Sequence, residues 1–236
     1  MTPNAKAVTL RIAVACGLLV VPLQARGDGP WVELFAGVEP TKGWIVTDWS
    51  DLKKDPPEGA RWEVVDGTLQ GSTPRGTWLV SDAEYADFEL QFEWRLGSRG
   101  NSGLALRSPL LGDPAFDGLE LQMVDSRYFP VEQTPKPSEL TGSFYRAAAP
   151  RVQAFKPEDW NRYEIVCRGP RIKVVINGEL IQDLNLDEQT DRPLRHDGSE
   201  ASALKDRPRR GRIGFQELSR GGGRVKIRNA RIRTLD

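Results

Sequence analysis

The residues best suited to chemistry are acids, amides and arginines that occupy every second position in two stretches of the chain. Residues 88–96 read Phe-Glu-Leu-Gln-Phe-Glu-Trp-Arg-Leu, and residues 118–125 read Gly-Leu-Glu-Leu-Gln-Met-Val-Asp. A period of two is typical of a β-strand with one buried face, so the polar side chains of each stretch lie on its other face. A third predicted strand ends at residue 107. If the large apolar residues of all three strands face the core, the strands share one polar face. That face carries Glu89, Gln91, Glu93, Arg95, Arg107, Glu120 and Gln122.

Carboxylates that alternate with guanidinium groups on one concave sheet suit a sugar. Charged groups make strong and often bidentate hydrogen bonds, and a carboxyl group can also move a proton. The alternative is a ladder of cross-strand ion pairs that faces solvent and binds nothing. Ordinary glycoside hydrolysis by Glu89 and Glu93 is disfavoured, because four residues at about 3.3 Å each separate them by roughly 13 Å. A retaining pair needs about 5–5.5 Å.

The scarcity of histidine and cysteine argues against several other chemistries. His196 is the sole histidine, which argues against a zinc site with several histidines and a Ser-His-Asp triad. Cys167 is in phase with the apolar Tyr163 and Ile165, which predicts a buried and inert thiol. Basic and acidic residues number 33 each, which argues against general nucleic-acid binding.

The N-terminus has the pattern of a secretory signal peptide. Basic residues flank an apolar run at 12–23 that is too short to span a bilayer, and Ala-Arg-Gly at 25–27 fits a cleavage site. We expect residues 1–27 to be removed, the mature protein to be secreted or periplasmic, and no stable membrane insertion after cleavage. Lipidation at Cys16 and a retained N-terminal anchor are the alternatives.

Residues 28–236 predict a single all-β domain. Asp66-Gly67 and Asn177-Gly178 are two-residue hairpin turns between short strands. Residues 126–157 form a long excursion of the kind that carries binding loops, and residues 187–210 read as a charged surface insertion. Many short strands and almost no helix predict a two-sheet antiparallel jelly-roll sandwich.

Nine motifs follow one another in an order that resembles one known family. They are Trp31-Val-Glu-Leu-Phe35, Trp62-Glu-Val-Val-Asp-Gly67, Tyr85-Ala-Asp-Phe-Glu-Leu-Gln-Phe-Glu-Trp-Arg95, Gly100-Asn-Ser-Gly103, Gly118-Leu-Glu-Leu-Gln-Met-Val-Asp125, Thr141-Gly-Ser-Phe-Tyr145, Trp160-Asn161, Asn177-Gly178 and Arg228-Asn-Ala-Arg-Ile232. The series resembles the 3-keto-disaccharide hydrolase family, also called 3-keto-glucoside-1,2-lyase/3-keto-2-hydroxy-glucal hydratase, over about residues 31–235. The resemblance implies a concanavalin A-like lectin/glucanase sandwich that acts on carbohydrate.

The resemblance also implies cleavage of glycosides whose C3 hydroxyl has been oxidised to a ketone. The ketone acidifies the C2 hydrogen, so a carboxylate can remove it, the glycosidic oxygen leaves C1, and water adds back. By resemblance, Glu120 is the base or a metal-linked carboxylate, and Tyr145 is the acid or a lid contact. Arg107 and Arg95 stabilise the enolate or a hydroxyl group. The residues that orient the sugar or an ion are Glu93, Asn101, Gln122, Asp125 and Gln216.

The chain departs from the family where many members carry histidine. Gln216 is followed by Glu-Leu-Ser-Arg, and Asp125 is followed by Ser-Arg. A non-catalytic carbohydrate-binding module is therefore the alternative to an enzyme, and a structural envelope domain is a third possibility. A lichenase-like endoglucanase is disfavoured, because its Glu-x-Asp-x-x-Glu pattern is matched here only by Glu120-Leu-Gln-Met-Val-Asp125. The cofactor stays open, with a divalent metal ion as a candidate.

Overall fold

The computed structural model describes residues 28–221 and 223–236. The predicted leader, residues 1–27, lies outside the described residues. In the described part, none of the helices is long and apolar enough to cross a membrane. The longest regular elements are strands, and they have the following bounds: β1 Val32–Glu33, β2 Trp44–Asp48, β3 Arg61–Val65, β4 Thr68–Thr73, β5 Thr77–Ser81, β6 Phe88–Arg95, β7 Asn101–Ser108, β8 Leu119–Val124, β9 Asn161–Arg168, β10 Arg171–Ile176, β11 Glu179–Asn185, β12 Arg212–Glu217 and β13 Lys226–Thr234. One short α-helix, α1, spans Pro114–Asp117.

The strands form two antiparallel sheets. The eight-stranded sheet has the order β11-β10-β9-β6-β13-β4-β3, with β1 paired to β13. The five-stranded sheet has the order β2-β5-β12-β7-β8. The predicted all-β sandwich of two antiparallel sheets is confirmed. Both predicted hairpin turns join neighbouring strands, β3 to β4 and β10 to β11.

The core lies between the sheets and is built by the predicted alternation. Phe88, Leu90, Phe92 and Trp94 of β6 are at most 1% exposed, and every second residue between them faces outward. The apolar residues of β8 enter the same core from the other sheet. Full burial of each such side chain contributes about 1.5–3 kcal/mol to folding.

This arrangement contradicts the prediction of one shared polar face. Strand β6 lies in the eight-stranded sheet, whereas β8 lies in the five-stranded sheet. Because the two sheets bury their apolar faces against each other, Glu93 and Glu120 point away from opposite sides of the sandwich. Alternation shows which side of a strand is apolar, but it does not show to which sheet that strand belongs.

Arg107 departs from the predicted face for a local reason. Its φ is 50°, so the backbone of β7 leaves the extended conformation and the side chain is fully buried. The guanidinium donates to Ala86 O at 2.7 Å and Gly169 O at 2.7 Å, and it contacts Asp87 Oδ1 at 3.2 Å. Arg107 therefore ties β7 to two loops and lies away from the polar surface.

The long loop after β8 folds back along the edge of that strand. Its segment 141–145 completes the ladder: Ser143 O accepts from Gln122 N at 2.9 Å, and Tyr145 N donates to Glu120 O at 3.0 Å. This pairing covers an edge that would otherwise expose backbone hydrogen-bonding groups. It also fixes Tyr145 beside Glu120.

Candidate active site

The outer face of the five-stranded sheet carries a pocket of about 320 Å³. Five residues predicted from the sequence line it: Asn101, Glu120, Gln122, Tyr145 and Gln216. Other polar or aromatic residues that line it were not predicted as site residues: Trp49, Arg75, Asp113, Tyr128, His196 and Arg220. The pocket therefore combines groups from three strands with groups from six loops.

Glu120 projects from β8 into this pocket and is 4% exposed. Its carboxyl group lies over Gly103 of the neighbouring strand, where an added Cβ would be 2.1 Å from Glu120 Oε1. Burial raises the pKa of Glu120 well above its usual range, the charge of Asp113 raises it further, and Arg207 acts in the opposite direction. The environment of Glu120 therefore favours its neutral, proton-donating form.

Asp113 supplies a second carboxyl group from the start of α1. The sequence Asp113-Pro114 is typical of a helix start, and Asp113 Oδ1 accepts a hydrogen bond from Ala115 N at 3.0 Å. Burial raises the pKa of Asp113 to about 7, the bond from Ala115 opposes this rise, and the charge of Asp117 adds to it. Asp113 is thus close to half ionised at neutral pH.

Arg207 is a buried cation whose charge acts on both acids. It is 4% exposed, and its Nη1 donates to Ala115 O at 2.9 Å and Gly118 O at 3.0 Å. Burial lowers the pKa of Arg207 to about 10, so it still carries its charge at neutral pH. The two carboxyl groups interact, so Asp113 loses its proton first and its charge then holds the proton on Glu120.

Tyr145 and His196 form one wall of the pocket. Their ring centroids are 5.8 Å apart, and the imidazole also lies 5.4 Å from the ring of Phe116. Burial raises the pKa of Tyr145 to about 12, so its hydroxyl group keeps its proton. Partial desolvation and then the charge of Arg146 lower the pKa of His196 from 6.5, which keeps the imidazole neutral near pH 7.

Three amides provide uncharged hydrogen-bonding groups. Asn101 is 8% exposed and its Oδ1 has no hydrogen-bond partner within the described chain. Gln122 Oε1 accepts from Met123 N at 2.9 Å, which leaves its amino group for other contacts. Gln216 enters the pocket from β12 and is 3% exposed. A buried amide without a partner is rare in folded proteins, so these groups fit a polar ligand.

The opposite wall is aromatic and basic. The guanidinium of Arg220 lies 4.4 Å from the centroid of the Tyr128 ring, and Arg75 Nη2 lies 3.3 Å from the Tyr128 hydroxyl group. Trp49 lines the same pocket. Aromatic rings of this kind can stack on the apolar face of a sugar.

Three predicted site residues lie elsewhere, besides Arg107. Glu93 and Arg95 are on the outer face of the eight-stranded sheet, so the prediction that they share a face with Glu120 is wrong. Asp125 is 1% exposed, and its carboxylate accepts bonds from the backbone N and the Nε of Arg127, both at 2.9 Å. That carboxylate begins a short 3-10 turn and does not line the pocket.

The outer face of the eight-stranded sheet carries the ion-pair ladder that was the alternative. Arg233 pairs with Glu89 at 2.7 Å, and Arg228 Nε lies 2.7 Å from Glu93 Oε2. Between them, the side chain of Gln91 accepts from Arg231 at 2.8 Å. The hydrogen-bonding capacity of this face is thus largely used within the protein.

The donor set does not define a metal site. Within residues 28–221 and 223–236, no three His, Cys, Asp or Glu side chains form a group that could hold a metal ion. The pocket offers two carboxyl groups and amide oxygens, but these acids are held in an environment that favours their neutral forms. We therefore derive no step through a metal ion.

Comparisons with known proteins agree with this fold. A family model described as "3-keto-alpha-glucoside-1,2-lyase-like domain" matches residues 30–233. A search of curated proteins found no match. A Parabacteroides distasonis protein described as "Putative glycosyl hydrolase" is 24% identical, with a TM-score of 0.69 over 87% of this chain and 100% of that chain. A second protein so described, from the same organism, is 23% identical, with a TM-score of 0.66 over 88% of this chain and 94% of that chain. A Bacillus subtilis protein with a galectin-like fold is 13% identical, with a TM-score of 0.52 over 89% of this chain and 97% of that chain.

Proposed function

The chain belongs to the 3-keto-alpha-glucoside-1,2-lyase-like domain family, and we propose that it cleaves 3-keto-glycosides by elimination followed by addition of water. Membership of this family makes it a sugar-processing domain. The observation that carries the specific proposal is the pair of carboxyl groups, Asp113 and Glu120, in one pocket with unequal and raised pKa values. Two acids whose environments separate their pKa values suit a base and an acid in the same reaction.

The first step removes a proton from C2 of the sugar. The sequence suggested Glu120 as the base, but its strongly raised pKa favours the role of proton donor. Asp113, with a pKa of about 7, is the carboxylate that is available to accept the C2 proton at neutral pH. The electron pair of the C2–H bond then forms a C2=C3 double bond, and the C3 oxygen becomes an enolate. Asn101 and Gln216 line the same pocket, and we assign their amide N–H groups to bind that oxygen.

The second step breaks the glycosidic bond. The enolate electrons return to re-form the C3 ketone, a C1=C2 double bond forms, and the C1–O bond breaks. Glu120 donates its proton to the departing oxygen, so no free alkoxide has to form. Water then adds with its oxygen on C1 and a proton on C2, which gives a 3-keto sugar and an alcohol, the products of net hydrolysis.

Tyr145 and His196 complete the proposal. Tyr145 is protonated at neutral pH, so it donates a hydrogen bond to the sugar or to the leaving group. The chain lacks a histidine after Gln216, yet the loop that carries His196 brings a neutral imidazole into the same pocket. His196 can therefore accept or relay a proton during the addition of water.

The test is cleavage of a synthetic 3-keto-glucoside in deuterated water. Elimination followed by addition places deuterium at C2 of the sugar product and passes through a 3-keto-2-hydroxy-glucal, whereas direct hydrolysis leaves the original hydrogen at C2. Mass spectrometry and NMR of the early product distinguish the two. A parallel reaction with a chelator shows whether a metal ion is needed.

Glu93→Gln is the matched control, because it removes a carboxyl group from the opposite outer face. We expect Glu120→Gln and Asp113→Asn to lose turnover and Glu93→Gln to keep it. Full turnover in both Glu120→Gln and Asp113→Asn would rule out this mechanism.

A non-catalytic carbohydrate-binding module is the second candidate. The aromatic side chains of Trp49 and Tyr128 on the pocket wall favour sugar binding, and the histidine-containing motif after Gln216 is missing. In this case the folded protein binds the parent sugar in calorimetry and leaves the 3-keto-glucoside intact.

We also propose that residues 1–27 direct export and that the domain acts outside the cytoplasm. The apolar run at 12–23 and the Ala-Arg-Gly sequence that follows it support this proposal. Mass spectrometry of the protein expressed in full tests it. A mature N-terminus after Gly27 is expected, and an intact Met1 in the cell fraction would contradict export.

A further inference from the structure

A second hollow adjoins the pocket on its basic side. It has a volume of about 530 Å³, and Arg75 and Arg220 line both the pocket and this hollow. Arg224 also lines the hollow, together with Ser72, Thr73 and Ser219. We call this second space the arginine hollow.

The three arginines of the hollow have no acid partner in the part of the chain that the structure describes, whereas most arginines on the opposite sheet do. Arg228 and Arg233 each hold a glutamate at 2.7 Å. In contrast, no carboxylate oxygen of the described residues lies within 4 Å of Arg75, Arg220 or Arg224. Three unpaired guanidinium groups at one opening form a positive site that suits an anion.

Each of these arginines is held in place by contacts that leave donors free. Arg75 Nε donates to Leu218 O at 2.9 Å, and Arg224 Nη1 donates to Thr73 Oγ1 at 2.8 Å. Arg220 stacks on the ring of Tyr128. A guanidinium has five N–H donors, so each group keeps donors for a ligand.

One acid, Glu217, borders the hollow. It is fully buried, and its two oxygens accept from Ser219 N at 2.7 Å and Val225 N at 2.8 Å. Burial raises the pKa of Glu217 and so favours its neutral form, while these hydrogen bonds and the charge of Arg224 act in the opposite direction. Three arginines against one acid leave the lining of the hollow positive.

The distance from the acids also suits one ligand. Arg75 bonds to Leu218 O, and Leu218 N donates to Asn101 O at 2.9 Å, which places Arg75 at the start of β7. The carboxyl group of Glu120 lies over Gly103, two residues further along β7, which corresponds to roughly 7 Å. A sugar ring beside Glu120 that carries an anionic substituent can span this distance.

We propose that the arginine hollow binds an anionic group of the glycoside, so that the substrate class is acidic glycosides. The inference rests on the proposed function, which places the reacting sugar beside Glu120. The shared chemistry is a carboxylate, sulfate or phosphate, since a guanidinium binds each through paired N–H donors.

The test measures the affinity of glucose, glucuronate, glucose 6-sulfate and glucose 6-phosphate by NMR titration at constant low ionic strength. We expect at least one acidic sugar to bind about tenfold more tightly than glucose, which equals about 1.4 kcal/mol. The identity of the best ligand distinguishes a carboxylate from a sulfate or phosphate. Equal affinity for all four sugars, or no saturable binding by any acidic sugar, would overturn the proposal.

Variants assign the effect to the hollow. Arg220→Gln with Arg224→Gln is expected to bring the preference for acidic sugars within about twofold of glucose, because two guanidinium groups are lost. Arg95→Gln is the matched control, since Arg95 is an exposed arginine on the other sheet that also has no acid partner in the described chain. A preference that survives the double variant, or that falls equally in the control, would place the anion elsewhere.

Turnover of a neutral 3-keto-glucoside separates this inference from the proposed function. If the neutral substrate is cleaved and acidic sugars gain no affinity, elimination stands and the anion site falls. If acidic sugars bind at the hollow and no 3-keto-glucoside is cleaved, the anion site stands and elimination falls.

Discussion

The two outer faces of the sandwich carry similar residues in opposite electrostatic states. On the eight-stranded sheet, burial opposes ionisation of Glu93, but hydrogen bonds from Arg228 and Asn229 outweigh it and lower the pKa of Glu93. On the five-stranded sheet, burial raises the pKa of Glu120 and none of the hydrogen bonds within the described chain offsets it. The same residue type is therefore a permanent charge on one face and a proton donor on the other.

This difference shows what separates a structural face from a candidate site. Both faces arise from strands with alternating polar residues, and alternation makes them equally polar in the sequence. The two faces differ in whether a cation lies opposite each acid. Strand β13 places an arginine opposite Glu89 and another opposite Glu93, whereas Glu120 faces Ala105. A paired acid stabilises the fold, and an unpaired buried acid reduces stability and gains reactivity.

The largest expected effect is on turnover in Glu120→Gln. Loss of a general acid lowers kcat about 10²–10⁴-fold. The glutamine amide has the shape of the neutral acid but does not ionise. The free energy of unfolding of the variant at pH 8 should therefore equal or exceed that of the wild type. Turnover of a 3-keto-glucoside and urea unfolding measure the two quantities. A variant that unfolds easily and loses activity for that reason would show that Glu120 supports the fold instead.

The next effect is the pH dependence that Asp113 contributes. Its pKa of about 7 means that kcat/KM should rise with pH through that value, as the carboxylate forms. In the unfolded chain the pKa is about 3.9, so the folded protein holds more protons between about pH 4 and pH 7 and its stability falls with rising pH in that window.

Asp113→Asn keeps a good helix start and removes this titration. The variant should therefore gain stability relative to the wild type as pH rises from about 4 to about 7, with a constant difference above that range. Urea unfolding at pH 4, 6 and 8 measures it. The same difference at all three pH values would mean that Asp113 does not titrate as the structure indicates.

The sequence predicted the sheets and half of the candidate site, and the missing parts have identifiable causes. Alternation placed Glu120 and Gln122 outward correctly, but it could not assign β6 and β8 to different sheets. Arg107 was misplaced because a left-handed φ is invisible in a strand pattern. Asp113 and His196 come from loops, where the sequence has no periodic pattern that predicts which way a side chain points.

A weak signal was available for some of the missed residues. The Asp113-Pro114 pair indicates a helix start, which predicts a fixed carboxyl group but not the pocket behind it. His196 is the sole histidine of the chain. Its arrival beside Tyr145 depends on how the charged segment folds over α1, which local sequence does not determine.

A smaller effect is expected from Gly103→Ala. An added Cβ would lie 2.1 Å from Glu120 Oε1, so the carboxyl group has to move while the backbone, which is not left-handed there, can stay. A displacement of about 1 Å can lower the rate about 10²-fold. The change should therefore reduce kcat, and overpacking at this buried position should cost about 1–3 kcal/mol of stability.

Gly71→Ala is the matched control for that variant. Its added Cβ would lie 2.0 Å from Glu217 Oε2, which is the same geometry around an acid with two backbone partners. Displacement of Glu217 leaves two buried N–H groups without an acceptor, at about 1–3 kcal/mol each. We expect Gly71→Ala to lose stability and keep kcat on a neutral substrate. The reverse pattern in the two glycine variants would contradict the separate roles of Glu120 and Glu217.

The smallest effect is expected from Glu93→Gln on the paired face. The side chain of Glu93 is 26% exposed and that of Arg228 is 40% exposed, so solvent screens the pair. Exposed pairs contribute about 0–1 kcal/mol. Because the folded pKa of Glu93 is lowered, this contribution is present above the unfolded value of about 4.3 and is lost as pH falls through the folded pKa. The free energies of unfolding of the wild type and Glu93→Gln, measured with urea at pH 7, should differ by less than about 1 kcal/mol. The difference should be smaller in high salt, and turnover should be unchanged. A large loss of turnover in this variant would mean that the paired face takes part in the reaction, and the division of labour between the two sheets would then have to be abandoned.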